Sequence, residues 1–179
     1  IMRGVFEKGD AWFNTGDLMK TVDVGFSLGF SHYQFVDRVG DTYRWKSENV
    51  STNEVGEIIN GHKQIDFCNV YGVEIPKAEG KAGMAALVLA EGVKELDVSS
   101  FSAYINEHLP SYAQPVFLRI QPKMDTTGTF KMVKGDLRKE NYDLEQINEP
   151  VYVLKPRSKT YERLDTEFAA ILHAGDGGY

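Results

Sequence analysis

The chain has 179 residues, with 20 Lys and Arg against 26 Asp and Glu, a formal charge of -6 and 42% apolar residues. That is enough apolar material for one ordinary core, or one core with an appendage, and the mixed charges lack the single basic face of a nucleic-acid groove. A single cysteine, Cys68, and four scattered histidines exclude a disulfide framework and a clustered zinc site, so no metal site is expected and a reducing, cytoplasmic setting is.

In chain order, residues 10–37 interleave aromatic and polar positions, as in Trp12-Phe13-Asn14-Thr15 and His32-Tyr33-Gln34-Phe35-Val36, with glycines at 25 and 29. This predicts short strands and a hairpin, an incomplete sheet whose natural partner lies in an upstream domain. The start, Ile1-Met2-Arg3-Gly4, carries no charged-then-apolar leader, so no secretory signal is expected in the sequence as given. Ser51-Thr52-Asn53-Glu54 has capping-box spacing, and Val55, Ile58 and Ile59 follow at helical intervals up to Gly61. Ile65 to Ile75 and Ala82 to Ala90 read as a strand pair joined by 76–81. The longest apolar run, Met84 to Ala90, falls far short of the ~20 residues a membrane span needs.

Ser99 or Ser100 is expected to cap a second helix with Phe101, Tyr104, Ile105 and Leu109 on one face, ended by Pro110. A strand at 115–120 follows, then a polar small-residue loop at 125–131 running into a Lys- and Arg-rich stretch up to Lys139. Asp165 is expected to cap a last helix with Leu164, Phe168, Ile171 and Leu172 on one face, and the glycine-rich 175–178 is expected to fray. Helices and short strands interleave without long βαβ repeats, so the fold class is α+β: mixed short sheets flanked by helices.

Three segments can carry chemistry. In Asn14-Thr15-Gly16-Asp17, a carboxylate on a tight glycine turn can accept two hydrogen bonds from a ribose diol; an ordinary Gly-Asp β-turn explains the same residues. In the segment from Phe35 to Val50, Arg38 offers a planar fork to ribose or phosphate oxygens, and Gly40 permits backbone angles that a side chain forbids, as a hinge requires; a solvated interdomain loop is the alternative. Trp45 sits awkwardly in that alternative, because an indole in a loop packs against something or binds it. In Thr126-Thr127-Gly128-Thr129-Phe130-Lys131, a small-residue loop ends in a lysine able to bring one positive charge to a phosphate or carboxylate; it lacks Walker spacing, and a basic surface turn is the competing reading.

Together and in this order, the three segments resemble the signatures of the adenylate-forming superfamily of acyl-CoA synthetases, luciferases and peptide-synthetase adenylation domains. Within it, FVDRVGDTYRWKSENVSTNEV and TTGTFK resemble the fatty-acid transport protein and very-long-chain acyl-CoA synthetase branch, and the similarity runs from about Gly9 to the final helix. The resemblance implies residues 1–37 as the end of an N-terminal domain, 38–179 as a small C-terminal mobile domain, and a hinge at 38–41 containing Gly40 and Asp41. It also implies that Asp17 and Arg38 bind the nucleotide, that Trp45, Lys46, Ser47, Glu48 and Asn49 line a CoA tunnel, and that Lys131 is catalytic. Ser47 stands where the family usually has glycine, which bears on CoA geometry. The implied activity is that of an AMP-forming fatty acid–CoA ligase using ATP, CoA and Mg2+, the metal being held mainly by the N-terminal domain. The implied partners are the fatty acid and the chain's own N-terminal domain, with peripheral membrane contact left open. A ligase for bile acids or carnitine-like acids, or a non-catalytic interaction module, are the other readings.

Overall fold

The computed structural model describes residues 1–26, 29–38, 41–122 and 134–179, which divide into two compact units, Ile1–Asp41 and Thr42–Tyr179. The first unit holds two antiparallel ribbons. One pairs β1 (Met2–Arg3) with β2 (Ala11–Trp12), and the other pairs β3 (Asp17–Val22) with β4 (His32–Arg38), with an irregularity between Leu18 and Met19. Among the described residues of this unit no helix covers either ribbon, and Phe6, Phe13, Phe26, Phe30 and Tyr33 are exposed. The loop from β1 to β2 closes around the Asp10 carboxylate, which accepts from the backbone N–H groups of Val5, Phe6 and Glu7 and from the Trp12 indole. Those donors hold its pKa far below the usual carboxylate range.

The second unit opens with a small hairpin, β5 (Tyr43–Trp45) and β6 (Glu48–Val50), followed by α1 (Thr52–Asn60). Ser51 caps α1 by accepting from the Glu54 N–H at 3.2 Å. Next come β7 (Ile65–Val73), β8 (Ala82–Leu89), α2 (Val98–His108) and β9 (Phe117–Gln121). The rest is α3 (Gly135–Glu140), β10 (Val151–Val153), β11 (Glu162–Arg163) and α4 (Thr166–His173). One five-stranded sheet, in the order β11-β10-β9-β8-β7, organises the unit; it is antiparallel except for the β8–β9 pair, which α2 connects. The architecture is the expected α+β mix.

Period-two alternation sends Val70, Ala85 and Leu118 to the face where α1 packs, Gly56 passing Val70. Tyr71, Met84 and Phe117 face the other side, where Tyr142 stacks on Phe117 with ring centroids 4.4 Å apart. Central β8 is buried on both faces, and its small residues Ala82, Gly83, Ala85 and Ala86 let both layers approach. Arg119 in β9 is the main buried charge; its guanidinium meets Glu140 at the end of α3 at 2.5 Å and Glu149 at 2.9 Å. A six-residue helix is too short to persist alone. Besides Arg119–Glu140, α3 is held by buried Leu137 and by Lys134 Nζ, which donates to Thr52 Oγ1 at 2.9 Å.

Several expectations change. The cap of α2 is Asp97, not Ser99 or Ser100: its carboxylate accepts from the Ser100 N–H at 3.0 Å, the N-cap to N3 relation. The Lys- and Arg-rich stretch forms α3 from Gly135, while the expected loop at 125–131 lies outside the described residues. The glycine-rich 175–178 does not fray, since Gly175 N–H donates to Leu172 O at 2.9 Å and Asp176 N–H to Ile171 O at 3.0 Å. Among the described residues, no helix is long and apolar enough to cross a membrane.

Glycine geometry seats the first hairpin on the sheet. Gly72 and Gly83 are cross-strand partners, and the Tyr43 side chain lies over them so closely that a Cβ on Gly83 would fall 2.3 Å from its hydroxyl oxygen. Gly80, at φ +87°, would put a Cβ 2.2 Å from the Arg44 carbonyl oxygen, whereas Gly92, at φ +82°, has nothing within 4 Å. Gly92→Ala should therefore cost only the left-handed backbone term, about 1–2 kcal/mol, and Gly80→Ala at least ~2 kcal/mol more. Urea unfolding of the two variants checks this, and equal losses would contradict the close approach.

Candidate functional site

The turn before β3 is built from local side-chain acceptors. Asn14 Oδ1 accepts from the Gly16 N–H at 2.8 Å and Thr15 Oγ1 from the Asp17 N–H at 3.1 Å, while Gly16 takes φ +73°. These bonds set Asp17 as the first residue of β3, where its backbone pairs opposite Arg38, the last residue of β4. The two residues expected to serve one nucleotide thus stand at facing positions of a single ribbon. Asp41 is the last residue of the first unit; Gly40 and Lys131 lie outside the described residues.

Trp45 to Asn49 form the end of the hairpin of β5 and β6. Trp45 pairs with Glu48, leaving Lys46 and Ser47 as a two-residue loop with φ of +50° and +66°. Positive φ at both positions is the type I′ geometry that fits strand twist, and it favours glycine. Lys46, Ser47, Glu48 and Asn49 are exposed, but Trp45 is 2% exposed, so the turn projects from a buried base. The Trp45 backbone forms an isolated antiparallel bridge with Gly80, with Lys81 N–H donating to Arg44 O at 2.7 Å, and the indole meets the Tyr179 ring at 6.2 Å between centroids. Burial pushes the Tyr43 and Tyr179 hydroxyls above the usual phenol range.

Beside this base lies a groove of about 490 Å³ walled by Trp45, Tyr179, Leu154 and Pro110. Lys46, Lys155, Arg157 and Lys159 line it with Asn106, Ser111 and Ser158, and no acidic side chain among the described residues does. Lys155 also pairs with Glu162 at 2.9 Å, away from that lining. Such a surface can hold an anion with several phosphate oxygens. Sequence reasoning singled out Trp45 and Lys46 but passed over Lys155, Arg157 and Lys159. The alternating basic run Lys155-Pro156-Arg157-Ser158-Lys159 was the available signal, but it marks a groove only once the chain has brought Trp45 and Asn106 against it. Among the described residues, no group of three or more His, Cys, Asp or Glu is placed to hold a metal ion.

A fold with one ribbon presenting Asp17 and Arg38, and a separate α+β unit presenting a hairpin turn, matches a known class. Residues 54–131 match the AMP-binding enzyme C-terminal domain. The chain is 45% identical over 167 residues, 93% of its length, to long-chain fatty acid transport protein 6 of Mus musculus, covering 26% of that protein. It is 42% identical over 161 residues, 90% of its length, to the medium/long-chain-fatty-acid–CoA ligase FadD6 of Mycobacterium tuberculosis, again 26% of that protein. Among solved structures, O-succinylbenzoate coenzyme A synthetase of Bacillus subtilis in complex with AMP is similar, with a TM-score of 0.59 and 25% identity over 77% of this chain and 25% of that one. Residues 54–131 thus carry the AMP-binding enzyme C-terminal domain, the chain's homologues include long-chain fatty acid transport proteins and a fatty acid–CoA ligase, and its structural neighbours are adenylate-forming enzymes. It spans about a quarter of the length of the curated relatives it matches.

The geometry of the turn makes Ser47 a strained substitute for glycine. A non-glycine residue in the left-handed region costs about 1–2 kcal/mol, and glycine loses roughly 0.5–1 kcal/mol of that advantage through its greater chain entropy. Ser47→Gly is expected to stabilise the second unit by up to about 1 kcal/mol in urea unfolding. A loss of stability would mean that the serine side chain holds the turn.

Proposed function

We propose that this chain is the C-terminal part of an ATP-dependent, AMP-forming fatty acid–CoA ligase for long or very long acyl chains. Residues 1–37 would close its N-terminal domain and 38–179 would form its mobile domain. The observation that carries this reading is the similarity along nine-tenths of the chain to a medium/long-chain-fatty-acid–CoA ligase. The exposed turn at Lys46–Ser47 on a buried base, next to a cationic groove, supports it from the structure.

A carboxylate is a poor acylating agent. In the first half-reaction its oxygen attacks the α-phosphorus of ATP and pyrophosphate leaves; in the second, the CoA thiolate attacks the acyl carbon and AMP leaves. Asp17 would accept hydrogen bonds from the ribose hydroxyls, with Arg38 opposite it supporting the same nucleotide. Lys131 would bring one ammonium between the carboxylate and the α-phosphate, where two negative groups must meet. The turn from Trp45 to Asn49 would guide the pantetheine arm, and the groove with Lys46, Arg157 and Lys159 offers cations for the phosphates of CoA. Gly40 and Asp41 would form the hinge that exchanges the two faces, a form of domain closure. ATP, CoA and the fatty acid are substrates in this reading. Mg2+ would be held by the N-terminal domain, and no step on this chain runs through it. The location would be cytoplasmic with a peripheral membrane contact.

One lysine separates the half-reactions. In the full-length enzyme, Lys131→Ala should lower adenylation from fatty acid and ATP by roughly a hundredfold or more, the worth of one preorganised donor. Thioester formation from synthetic acyl-adenylate and CoA should stay within about twofold, because the charge problem is already solved. Lys139→Ala is the control, since its ammonium is exposed; Lys134 is unsuited because it is bonded to Thr52. Equal loss in both half-reactions would contradict the assignment.

A further inference from the structure

After α4 a short glycine-rich path leads to Tyr179. Gly175, at φ +75°, closes the helix with Asp176 through bonds to Leu172 O and Ile171 O, and Lys77 in the β7–β8 turn holds the Asp176 carboxylate at 2.9 Å. That pair is exposed and weak, so the backbone carries most of the path. At Gly177 an added Cβ would come within 2.7 Å of Leu172 Cδ2, so a larger residue would displace that side chain. Gly178, at φ +78°, then turns it. Tyr179 arrives with its hydroxyl donating to Leu154 O at 2.8 Å and its ring set at 49° against Trp45.

Three glycines in a row of four would be the most floppy segment of the unit, yet each sits at a close contact or a positive φ. Their combined effect is to place Tyr179 behind the indole that forms the base of the turn at Lys46 and Ser47. From the other side, Gly72, Gly80 and Gly83 admit Tyr43 and the Arg44 carbonyl. The hairpin is therefore clamped, and the 154–159 segment that lines the cationic groove is tied to the same tyrosine through Leu154.

We propose that Tyr179 is a positioning residue for the thioester-forming step: by backing Trp45 and fastening Leu154, it fixes the turn at Ser47 relative to the groove beside it. This rests on the reading that the turn faces CoA. Tyr179 touches no reacting atom; it acts through Trp45.

The test uses the full-length enzyme and measures the two half-reactions separately, with acyl-adenylate plus CoA for one and pyrophosphate release from fatty acid plus ATP for the other. Tyr179→Ala is expected to raise KM for CoA about tenfold or more, as a displaced positioning element does, with adenylation within about twofold. Tyr179→Phe, which keeps the ring and drops only the hydroxyl, should recover most of the loss. Tyr179→Leu, which keeps bulk without the aromatic face, should fall between them and guards against an alanine variant that fails to fold. Equal loss in both half-reactions, or none in either, overturns the proposal. Ser47→Tyr tests the underlying reading: if it slows the CoA reaction while Tyr179→Ala does not, only the positioning role falls. If Ser47→Tyr leaves the CoA reaction untouched, the turn does not face CoA and the role of Tyr179 falls with it.

Discussion

The seat of the Tyr43–Trp45 strand on the sheet is the contact on which the rest of the second unit's working surface depends. It exists because glycine occupies both members of a cross-strand pair, Gly72 and Gly83, leaving a furrow the width of a tyrosine ring. Into it goes Tyr43, and the indole of Trp45 follows with 2% of its surface exposed. Burying a side chain of that size removes about 200 Å² from water, roughly 5 kcal/mol of gross transfer free energy before entropy is charged against it. A two-stranded hairpin has no stability of its own in water. Here the buried pair of rings supplies it, and the exposed turn inherits a fixed position at no further cost.

A second anchor acts elsewhere in the unit. The hairpin turn is mounted on β7 and β8, at one edge of the sheet. Helix α3 is fastened by Arg119 from β9 through Glu140, with Glu149 sharing the guanidinium. Removing one partner from a buried pair leaves an uncompensated charge, so this anchor is costly to lose although its net contribution over an apolar replacement is small. Lys134 joins the two mounts, because its ammonium meets Thr52, two residues after the hairpin ends. In the proposed function, a unit tied together in this way can be delivered by rotation alone.

Much of this was legible in the residues. Capping geometry is local, so Ser51 and Asp165 announce α1 and α4, and both caps are seen. Asp97 was hidden because two serines follow it and each is an equally good N-cap residue; the choice is made by where Phe101 and Ile105 must point to be buried. The hairpin at Tyr43 falls in the stretch that reads from sequence as a hinge segment or a solvated interdomain loop, because its strands are three residues long and its loop lacks the Asn-Gly or Asp-Gly pair that usually marks a type I′ turn. Strand β10 and helix α3 were missed for a related reason: three and six residues carry no periodicity, and both exist only because the sheet and Arg119 hold them. The glycines at 175–178 were misread most plainly. Composition marks such a run as loose, and only the contacts at Leu172 and Trp45 show that glycine is there for closeness. Of the candidate site, the facing of Asp17 and Arg38 follows from strand pairing that residue order cannot supply.

The proposed function requires the second unit to work in two orientations relative to the first. The most direct measurement is the distance between spin labels on Lys8→Cys and Glu107→Cys in the full-length enzyme with upstream cysteines replaced; both positions are exposed, and native Cys68 is buried beyond labelling. The account predicts one distance distribution with fatty acid and a non-hydrolysable ATP analogue, and a separate one with a non-reactive acyl-adenylate analogue and CoA. A single unchanged distribution under both conditions would contradict it.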